Sequence, residues 1–192
     1  MPRNYIEDQT FEQINFQEQT LVKGEYENCE FKQCDFANAD LSGFKFSECR
    51  FLDCNLSMIR LDGTALREVQ FRDCKMLGLH LDACDPFGLS LAFERCQLNH
   101  TSFFQMNLKK MVFQHCKLEE ADFTEADLSG AIFEHCDLKR AVFDHTRLEK
   151  ADFRTAINYT IHPETNQIKH ARFSLPEVVG LLEKYEIRIE RV

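Results

Sequence analysis

Large apolar residues recur at every fifth position over most of this chain, and this period constrains the fold more than any other feature. From residue 11 to residue 81 every fifth residue is large and apolar, and after a shift of two residues the ladder resumes at Phe93 and continues to Phe153. In this second stretch Phe and Leu alternate without interruption. An α-helix needs apolar spacings of three and four, and a strand needs a spacing of two, so neither fits. The period indicates a repeat protein with a five-residue unit.

The cysteines follow the same period, although a metal site or a disulfide framework would have no reason to do so. All nine share one register, two residues before the positions of the five-residue ladder, where other repeats carry Ala or Thr. An odd number of cysteines also argues against a closed set of disulfides. We therefore predict that they are small, buried fillers with free thiols. The residues are Cys29, Cys34, Cys49, Cys54, Cys74, Cys84, Cys96, Cys116 and Cys136.

The bulk composition excludes several classes of partner. The chain has 192 residues and a net charge of −9, so a basic protein surface is a better direct partner than nucleic acid or an anionic membrane. No apolar run approaches the ~18–20 residues that a membrane span requires. The first ten residues lack the basic and then apolar layout of a signal peptide. We expect a cytoplasmic protein.

Four pentapeptides carry a recognisable signature: 39-ADLSG-43, 121-ADFTE-125, 126-ADLSG-130 and 151-ADFRT-155. With them the chain resembles the pentapeptide-repeat family over roughly residues 6–155. The resemblance implies an all-β solenoid, a right-handed quadrilateral β-helix in which four pentapeptides form one coil, so that every fourth pentapeptide stacks. The 28 repeats would then form seven coils, or about 35 Å of rod at a strand spacing of about 4.8 Å.

The same stacking rule makes predictions about individual walls of the coil. The alternation of Phe and Leu would place Phe on two opposite walls and Leu on the other two. Three cysteines would stack on one wall and three on another, namely Cys34, Cys54 and Cys74, and then Cys96, Cys116 and Cys136.

We divide the chain into a solenoid and a C-terminal segment. The solenoid is assigned to residues 1–155, with a phase break near 82–92, and the cap and dimerisation segment to residues 156–192. Turn residues in the break predict a bulge or short loop, either a tolerated insertion or a functional element. The loop residues are Asp85, Pro86 and Phe87.

The C-terminal segment is predicted to contain a short α-helical cap over residues 174–185. Ser174 and Glu177 have the spacing of a capping box, and residues 187–192 alternate like a short strand. Such a segment would cover the open end of a solenoid, which otherwise exposes strand edges. The resemblance implies instead that it joins two chains into a homodimer. The apolar face would consist of Leu175, Val178, Val179, Leu182 and Tyr185.

Because equivalent positions of successive coils stack, many of the charges on the outer surface are expected to form ion pairs. Such pairs are exposed to solvent and individually weak. The predicted pairs are Glu12 with Lys32, Glu25 with Lys45, Glu30 with Arg50, Asp40 with Arg60, Lys117 with Asp137, Glu119 with Lys139, Glu120 with Arg140 and Asp127 with Arg147.

Some acidic residues are left without such a partner, and we predict that they bind a basic partner. Like charges one coil apart are unfavourable, and this occurs where Glu48 stacks with Glu68 and Asp53 stacks with Asp73. A second acidic stretch contains no Lys or Arg between residues 119 and 137. Its candidate binding residues are Glu119, Asp122, Glu125 and Asp127.

The sequence offers no constellation typical of an enzyme. It has no Gly-rich phosphate loop and no serine in a G-x-S-x-G turn. His115 and His135 should stack on one face, but no third ligand for a metal ion accompanies them. We therefore expect neither catalysis nor a cofactor.

Three segments carry a finer resemblance: 51-FLDCNLSMI-59, 71-FRDCKMLG-78 and 172-RFSLPEVVGLL-182. They are similar to the topoisomerase-protection branch of the family, which includes the albicidin-resistance, Qnr quinolone-resistance and mycobacterial MfpA types. The resemblance implies a dimeric acidic rod that imitates duplex DNA, binds DNA gyrase or topoisomerase IV and protects the enzyme from poisons. The chain lacks the long projecting loops of the Qnr type. The alternative is a scaffold or adaptor with another protein partner.

Overall fold

The computed structural model describes residues 4–190, which form a parallel β-solenoid of about seven turns. Its strands contain only three or four residues because the chain turns a corner after each pentapeptide. They are β1 (Asn4–Glu7), β2 (Thr10–Glu12), β3 (Gly24–Glu27), β4 (Glu30–Lys32), β5 (Lys45–Ser47), β6 (Arg50–Leu52), β7 (Ala65–Arg67), β8 (Val69–Arg72), β9 (Leu91–Glu94), β10 (Val112–Gln114) and β11 (Ile132–Glu134).

Strand pairing confirms that equivalent residues of successive coils stack. Phe11 pairs with Phe31 and Phe31 pairs with Phe51, so each of these coils consists of four pentapeptides. The short sheet consists of β1, β3, β5 and β7, and the long sheet of β2, β4, β6, β8, β9, β10 and β11 in stacking order. The other two faces of the coil are joined by isolated parallel bridges. We call them the third and fourth faces, in the order in which the chain follows them after the long sheet.

The core is a set of aromatic columns, as the alternation of Phe and Leu predicts. On the long-sheet wall, the ring centroid of Phe113 lies 5.7 Å from that of Phe93 and 5.1 Å from that of Phe133. On the opposite wall Phe103 stacks on Phe123 at 4.8 Å. These side chains are almost fully buried, and each contributes roughly 1.5–3 kcal/mol through removal of apolar surface from water.

The corners are made by residues in the left-handed backbone region, two positions after each ladder residue. Glu48 has φ +54° and Lys110 has φ +59°, values that non-glycine residues rarely adopt. Ladder hydrogen bonds hold them there: the Glu48 amide donates to the carbonyl of Arg67 at 2.8 Å. Corner side chains of successive coils consequently lie in columns along the outer edges of the rod.

All nine cysteines are buried and free, which confirms their prediction as fillers. The thiol of Cys49 donates to the carbonyl of Tyr26 in the preceding coil at 3.4 Å, and Cys136 donates to Phe113 at the same distance. The hydroxyls of Thr64 and Thr146 make equivalent bonds in other repeats. The position therefore accepts a small side chain with a weak donor.

The prediction that the cysteines divide between two walls is wrong. Bridges join Asn55 to Lys75, Lys75 to Gln97 and Gln97 to Lys117, so the third face continues through the phase break. The stacking offset is larger at this one step, because the two extra residues are accommodated on another face. Six thiols consequently share one column: Cys34, Cys54, Cys74, Cys96, Cys116 and Cys136.

The buried thiols should be unreactive in the folded protein. Burial raises the pKa of Cys49 and of Cys84 to about 12, and the thiolate is the reactive form. We expect a disulfide reagent at pH 8 to modify none of the nine thiols within minutes in buffer and all nine in guanidinium. Rapid reaction of several thiols without denaturant would contradict this packing.

The phase break is accommodated on the short-sheet face, where that sheet ends at β7. A 3₁₀ segment covers Leu81–Ala83, and the following residues form a bulge. The Asp85 amide donates to Thr64 at 2.9 Å and the Ser90 amide donates to Leu66 at 3.0 Å, while Leu89 packs on the core. The long sheet passes the break without interruption, with Phe71 paired to Phe93.

The predicted α-helical cap is wrong: the C-terminal segment contains two 3₁₀ segments, Glu177–Leu181 and Glu183–Tyr185. No capping box forms, and the Glu177 carboxylate accepts a bond from the Asn158 amide at 3.1 Å. The cause is Gly180, which lies so close to Tyr159 that an added Cβ would be 2.0 Å from its carbonyl oxygen. A short helix that contains both Gly and Pro is marginal, so this contact determines the local conformation.

The segment after the cap also differs from expectation over the part that is described. Residues 187–190 form no strand, and residues 191–192 lie outside the described part of the chain. Within residues 4–190 no helix combines the length and apolar character that crossing a bilayer demands.

Candidate functional site

Two corners border the long sheet, and they carry the first predicted acidic group, four of the eight predicted acidic residues. We call the edge between the short and long sheets the first corner and the edge between the long sheet and the third face the second corner. From the N-terminal coil onward, the first corner consists of Asp8, Asn28, Glu48, Glu68, Ser90, Lys110, Gly130, Lys150 and His170. The second consists of Gln13, Gln33, Asp53, Asp73, Arg95, His115, His135 and Thr155.

The structure brings Glu48 and Glu68 together on the first corner, as the stacking rule predicts. Ser47 pairs with Arg67, so the next residues of the two strands are neighbours one coil apart. Both side chains are exposed, and neither forms an ion pair within residues 4–190. Parallel carboxylates at about 4.8 Å repel each other. This pair is therefore an uncompensated negative charge on a rigid edge.

The second corner differs from expectation at Asp73. Arg95 pairs with Asp73 in a bidentate geometry, with Nε to Oδ1 at 2.6 Å and Nη2 to Oδ2 at 2.8 Å. The hydrogen bonds from Arg95 hold the pKa of this carboxyl below its usual range. The expectation that Asp73 is uncompensated is wrong, because the stacking offset across the phase break is two positions longer than elsewhere. Asp53 is exposed and forms no ion pair among the described residues.

The long-sheet face between the two corners is electrically balanced. Arg50 lies 3.3 Å from Glu30 on this face, and Arg72 lies 2.7 Å from Glu94. The predicted patch is thus two acidic edges on either side of a neutral strip, rather than one continuous acidic surface.

The second predicted acidic group does not form a single surface. Glu119, Asp122, Glu125 and Asp127 follow the chain around the coil onto different faces. Lys139 lies 3.2 Å from Glu119, and Lys109 lies 3.2 Å from Asp127. Asp122 accepts a bond from the Thr124 amide at 2.9 Å, and Glu125 accepts one from Gln105 at 2.7 Å. A role for these four in partner binding stays a prediction.

Most of the predicted ladder ion pairs are present. Two are absent: Lys32 pairs with Glu30 instead of Glu12, and Asp137 accepts a hydrogen bond from Asn158 at 2.8 Å instead of pairing with Lys117. The confirmed pairs are Glu25 with Lys45, Glu30 with Arg50, Asp40 with Arg60, Glu119 with Lys139, Glu120 with Arg140 and Asp127 with Arg147.

The loop residues form an ordered turn that presents an aromatic ring. The Asp85 carboxylate accepts the Phe87 amide at 3.0 Å, and Pro86 lies between them at an exposed position. The ring of Phe87 is 78% exposed and lies 5.7 Å from the guanidinium carbon of Arg67. The function of this turn stays a prediction.

The predicted dimer residues lie at the C-terminal end of the rod, and they differ in exposure. Leu175 is 87% exposed, while Val179 and Tyr185 are each about half-exposed. Val178 and Leu182 are half-buried. Exposed Ile187 and Ile189 extend this apolar surface beyond the predicted set. Their alternation was visible in the sequence as a strand pattern.

The two histidines of the second corner stack as expected, with ring centroids 5.0 Å apart and an interplanar angle of 14°. Over residues 4–190 no cluster of three or more His, Cys, Asp or Glu side chains has a geometry that could hold a metal ion.

Comparisons with known proteins agree with this architecture. A family model described as pentapeptide repeat region matches residues 24–103 and 87–153. A search of curated proteins gave no significant match. Full-length QnrB1, a plasmid-mediated fluoroquinolone resistance protein, aligns with a TM-score of 0.52 at 16% identity, over 96% of this chain and 100% of QnrB1. HetL, a pentapeptide repeat protein involved in heterocyst differentiation regulation from the cyanobacterium Nostoc sp. strain PCC 7120, aligns with a TM-score of 0.45 at 16% identity, over 90% of this chain and 89% of HetL.

At these identities the structural likeness concerns the fold. The family match extends over well above half of the chain, in the region where the five-residue ladder and the stacked coils occur. The chain belongs to the pentapeptide-repeat family.

Proposed function

We propose that the protein is a non-enzymatic, cytoplasmic DNA mimic. It binds DNA gyrase or topoisomerase IV and protects the enzyme from topoisomerase poisons of the quinolone or albicidin type. The observation that carries the proposal is the fixed spacing of uncompensated carboxylates on a rigid edge, with Glu48 and Glu68 one coil apart on the first corner and Asp53 on the second.

A basic groove that normally holds DNA would attract such edges. The corner residues cannot move far, because ladder hydrogen bonds fix the backbone on both sides of each corner. Duplex DNA carries one charge per about 1.7 Å of axis, whereas coils are about 4.8 Å apart. The mimicry is accordingly partial and concerns the shape of the rod and the position of its charges.

The likeness to full-length QnrB1 supports the proposal, since QnrB1 is a fluoroquinolone resistance protein whose whole length aligns with this chain. The shared fold provides a rod of matching length, and the acidic corners provide the charge that a DNA-binding surface would recognise.

We include a homodimer in the proposal. Leu175, Ile187 and Ile189 are exposed apolar side chains at the C-terminal end of the rod, beside half-exposed Val179 and Tyr185. Burial of such surface favours association. Pairing of these ends through a twofold axis would produce a rod of about twice the length of one chain, roughly 70 Å.

Charge reversal on the first corner should abolish binding to the topoisomerase. We expect Glu48→Lys/Glu68→Lys to weaken binding to purified gyrase by at least about tenfold, because two attractive contacts become repulsive. Biolayer interferometry with immobilised gyrase measures the effect. Undiminished binding by the folded double variant would exclude the first corner as the contact surface.

A matched control reverses two carboxylates on the fourth face, which lies opposite the long sheet. Asp62→Lys/Asp144→Lys moves the net charge from −9 to −5, as the corner variant does, since each substitution adds two positive charges. We expect this variant to bind like the unmodified protein. Equal losses in both variants would indicate a response to net charge rather than to the acidic corner.

A further inference from the structure

Both corners of the long sheet change sign at the level of the phase break. In the N-terminal coils their charged residues are all acidic, and in the C-terminal coils these positions carry only lysine, arginine and histidine as titratable groups. The acidic half contains Asp8, Glu48, Glu68, Asp53 and Asp73, and the basic half contains Arg95, His115, His135, Lys110, Lys150 and His170.

The strip between the corners adds little net charge to this polarity, because several of its charges pair with each other and Glu94 also pairs with Arg95 of the second corner. Glu30 pairs with Arg50 at 3.3 Å in the acidic half. In the basic half Asp152 pairs with Arg154 and with Arg172, both at 2.9 Å. The two corners therefore determine the electrostatic polarity of this face.

The basic half of the first corner is as free of ion pairs as the acidic half. Lys110 and Lys150 are exposed, and neither forms an ion pair within the described part of the chain. Gly130 lies between them, and the stem of Lys110 passes over it, 3.6 Å from the position that a Cβ would occupy. This arrangement leaves both ammonium groups available to an external carboxylate.

We propose that two copies of the chain associate side by side and antiparallel through the long-sheet face. A twofold axis in the plane of this face, perpendicular to the rod at the level of Phe93, places each corner over the same corner of the second copy. The acidic half of one copy then lies over the basic half of the other. Counting coils from the axis sets Glu68 opposite Lys110 and Asp73 opposite His115.

The strip at the centre of this interface has one column that is apolar from the axis toward the C-terminal coils, beside a column that carries the paired Arg72 and Glu94. Ala92 lies near the axis, and Val112 and Ile132 follow it on the same column with 37% and 36% of their surface exposed. The charges on the corners would fix the direction and register of the association.

The association should be weak and sensitive to salt. Exposed ion pairs each contribute little, and they are screened over about 10 Å at 0.1 M salt. Seven strands extend over only about 30 Å, so the buried surface is near the lower limit for specific contacts, about 1,000 Å². This dimer would cover Glu48 and Glu68 and would compete with any basic partner of the first corner.

Sedimentation equilibrium of the full chain tests the proposal through charge reversal. We expect Glu48→Lys/Glu68→Lys to weaken self-association by at least about tenfold, and Lys110→Glu/Lys150→Glu to do the same, because each variant sets like charges opposite each other where Glu68 faces Lys110 and reverses the charge of one half of the corner. The variant with all four substitutions should associate like the unmodified protein. An equimolar mixture of the two double variants should form a heterodimer, which mass spectrometry under native conditions identifies.

Two controls separate this interface from other causes. Asp62→Lys/Asp144→Lys has the same net charge as the acidic-corner variant and should leave self-association unchanged. Leu175→Glu, at an exposed position of the C-terminal end, removes the proposed end-to-end pairing. All variants are therefore compared in this background, where the remaining self-association should come from the long-sheet face. Thermal unfolding verifies that every variant is folded.

Three results would overturn the proposal. A protein that stays monomeric at low salt and near 1 mM has no such interface, because a dissociation constant of 1 mM corresponds to only about 4 kcal/mol of binding free energy. Self-association that neither double charge-reversal variant weakens must use another surface. Failure of the fourfold variant to recover association would show that the two halves of the corner do not face each other.

Discussion

Replacement of Phe113 by Ala is expected to lower the free energy of unfolding by about 4 kcal/mol. Phe113 is fully buried on the long-sheet wall, stacked at 5.7 Å on Phe93 and at 5.1 Å on Phe133. Its ring also meets the edges of Phe103 and Phe123 on the opposite wall. Backbone ladders above and below prevent the coil from collapsing into the space, so most of the cavity would persist.

A matched control uses a Phe of the same region of the solenoid that does not lie on the ladder. Phe104 is 38% exposed on the fourth face, and Phe104→Ala should cost less than about 1 kcal/mol. Urea unfolding followed by circular dichroism measures both. Similar losses for the two variants would contradict the view that the stacked ladder, rather than aromatic content, stabilises the rod.

Replacement of Gly180 by Ala is the second change with a large expected effect, about 3 kcal/mol. The added Cβ would lie 2.0 Å from the carbonyl oxygen of Tyr159, and backbone atoms cannot yield as a flexible side chain does. The clash would also break the bond from the Ile161 amide to the Gly180 carbonyl, 3.1 Å long. We expect the segment after residue 173 to detach from the last coil and become accessible to protease.

Val179→Ala is the appropriate comparison, because Val179 neighbours Gly180 but has 45% of its surface exposed. It should leave both thermal stability and the rate of limited proteolysis nearly unchanged. If the cap of Gly180→Ala resists protease as well as that of Val179→Ala, the cap does not depend on this close contact.

The solenoid was predictable because every repeat experiences nearly the same environment. A residue at a ladder position meets its equivalents in the coils above and below, so one rule accounts for the core from Phe11 to Phe153. The same regularity made the burial of nine cysteines and most of the ion-pair ladder predictable.

The errors arose where this regularity ends. Counting four pentapeptides onward from Asp73 leads to Phe93, whereas the structure sets Asp73 beside Arg95. The sequence shows that two extra residues are present between the two ladders, but it does not show which face accommodates them. That single choice also decides that six cysteines form one column.

The C-terminal cap illustrates a different limit. Ser174, Glu177 and the apolar spacing are local helix signals, and local signals were all that the sequence provided there. The close approach of Gly180 to Tyr159 joins parts of the chain that are distant in sequence. Tertiary packing overrides weak helix propensity in so short a segment.

A DNA cleavage assay with purified gyrase tests the proposed function most directly. The protein is titrated into gyrase and supercoiled plasmid in the presence of a fluoroquinolone or albicidin, and cleaved and supercoiled DNA are measured. The account predicts that cleavage falls and supercoiling recovers for at least one poison, that excess protein alone inhibits supercoiling, and that Glu48→Lys/Glu68→Lys loses both effects. Unchanged cleavage and supercoiling at every protein concentration would contradict it and would favour an adaptor with a different partner on the same solenoid.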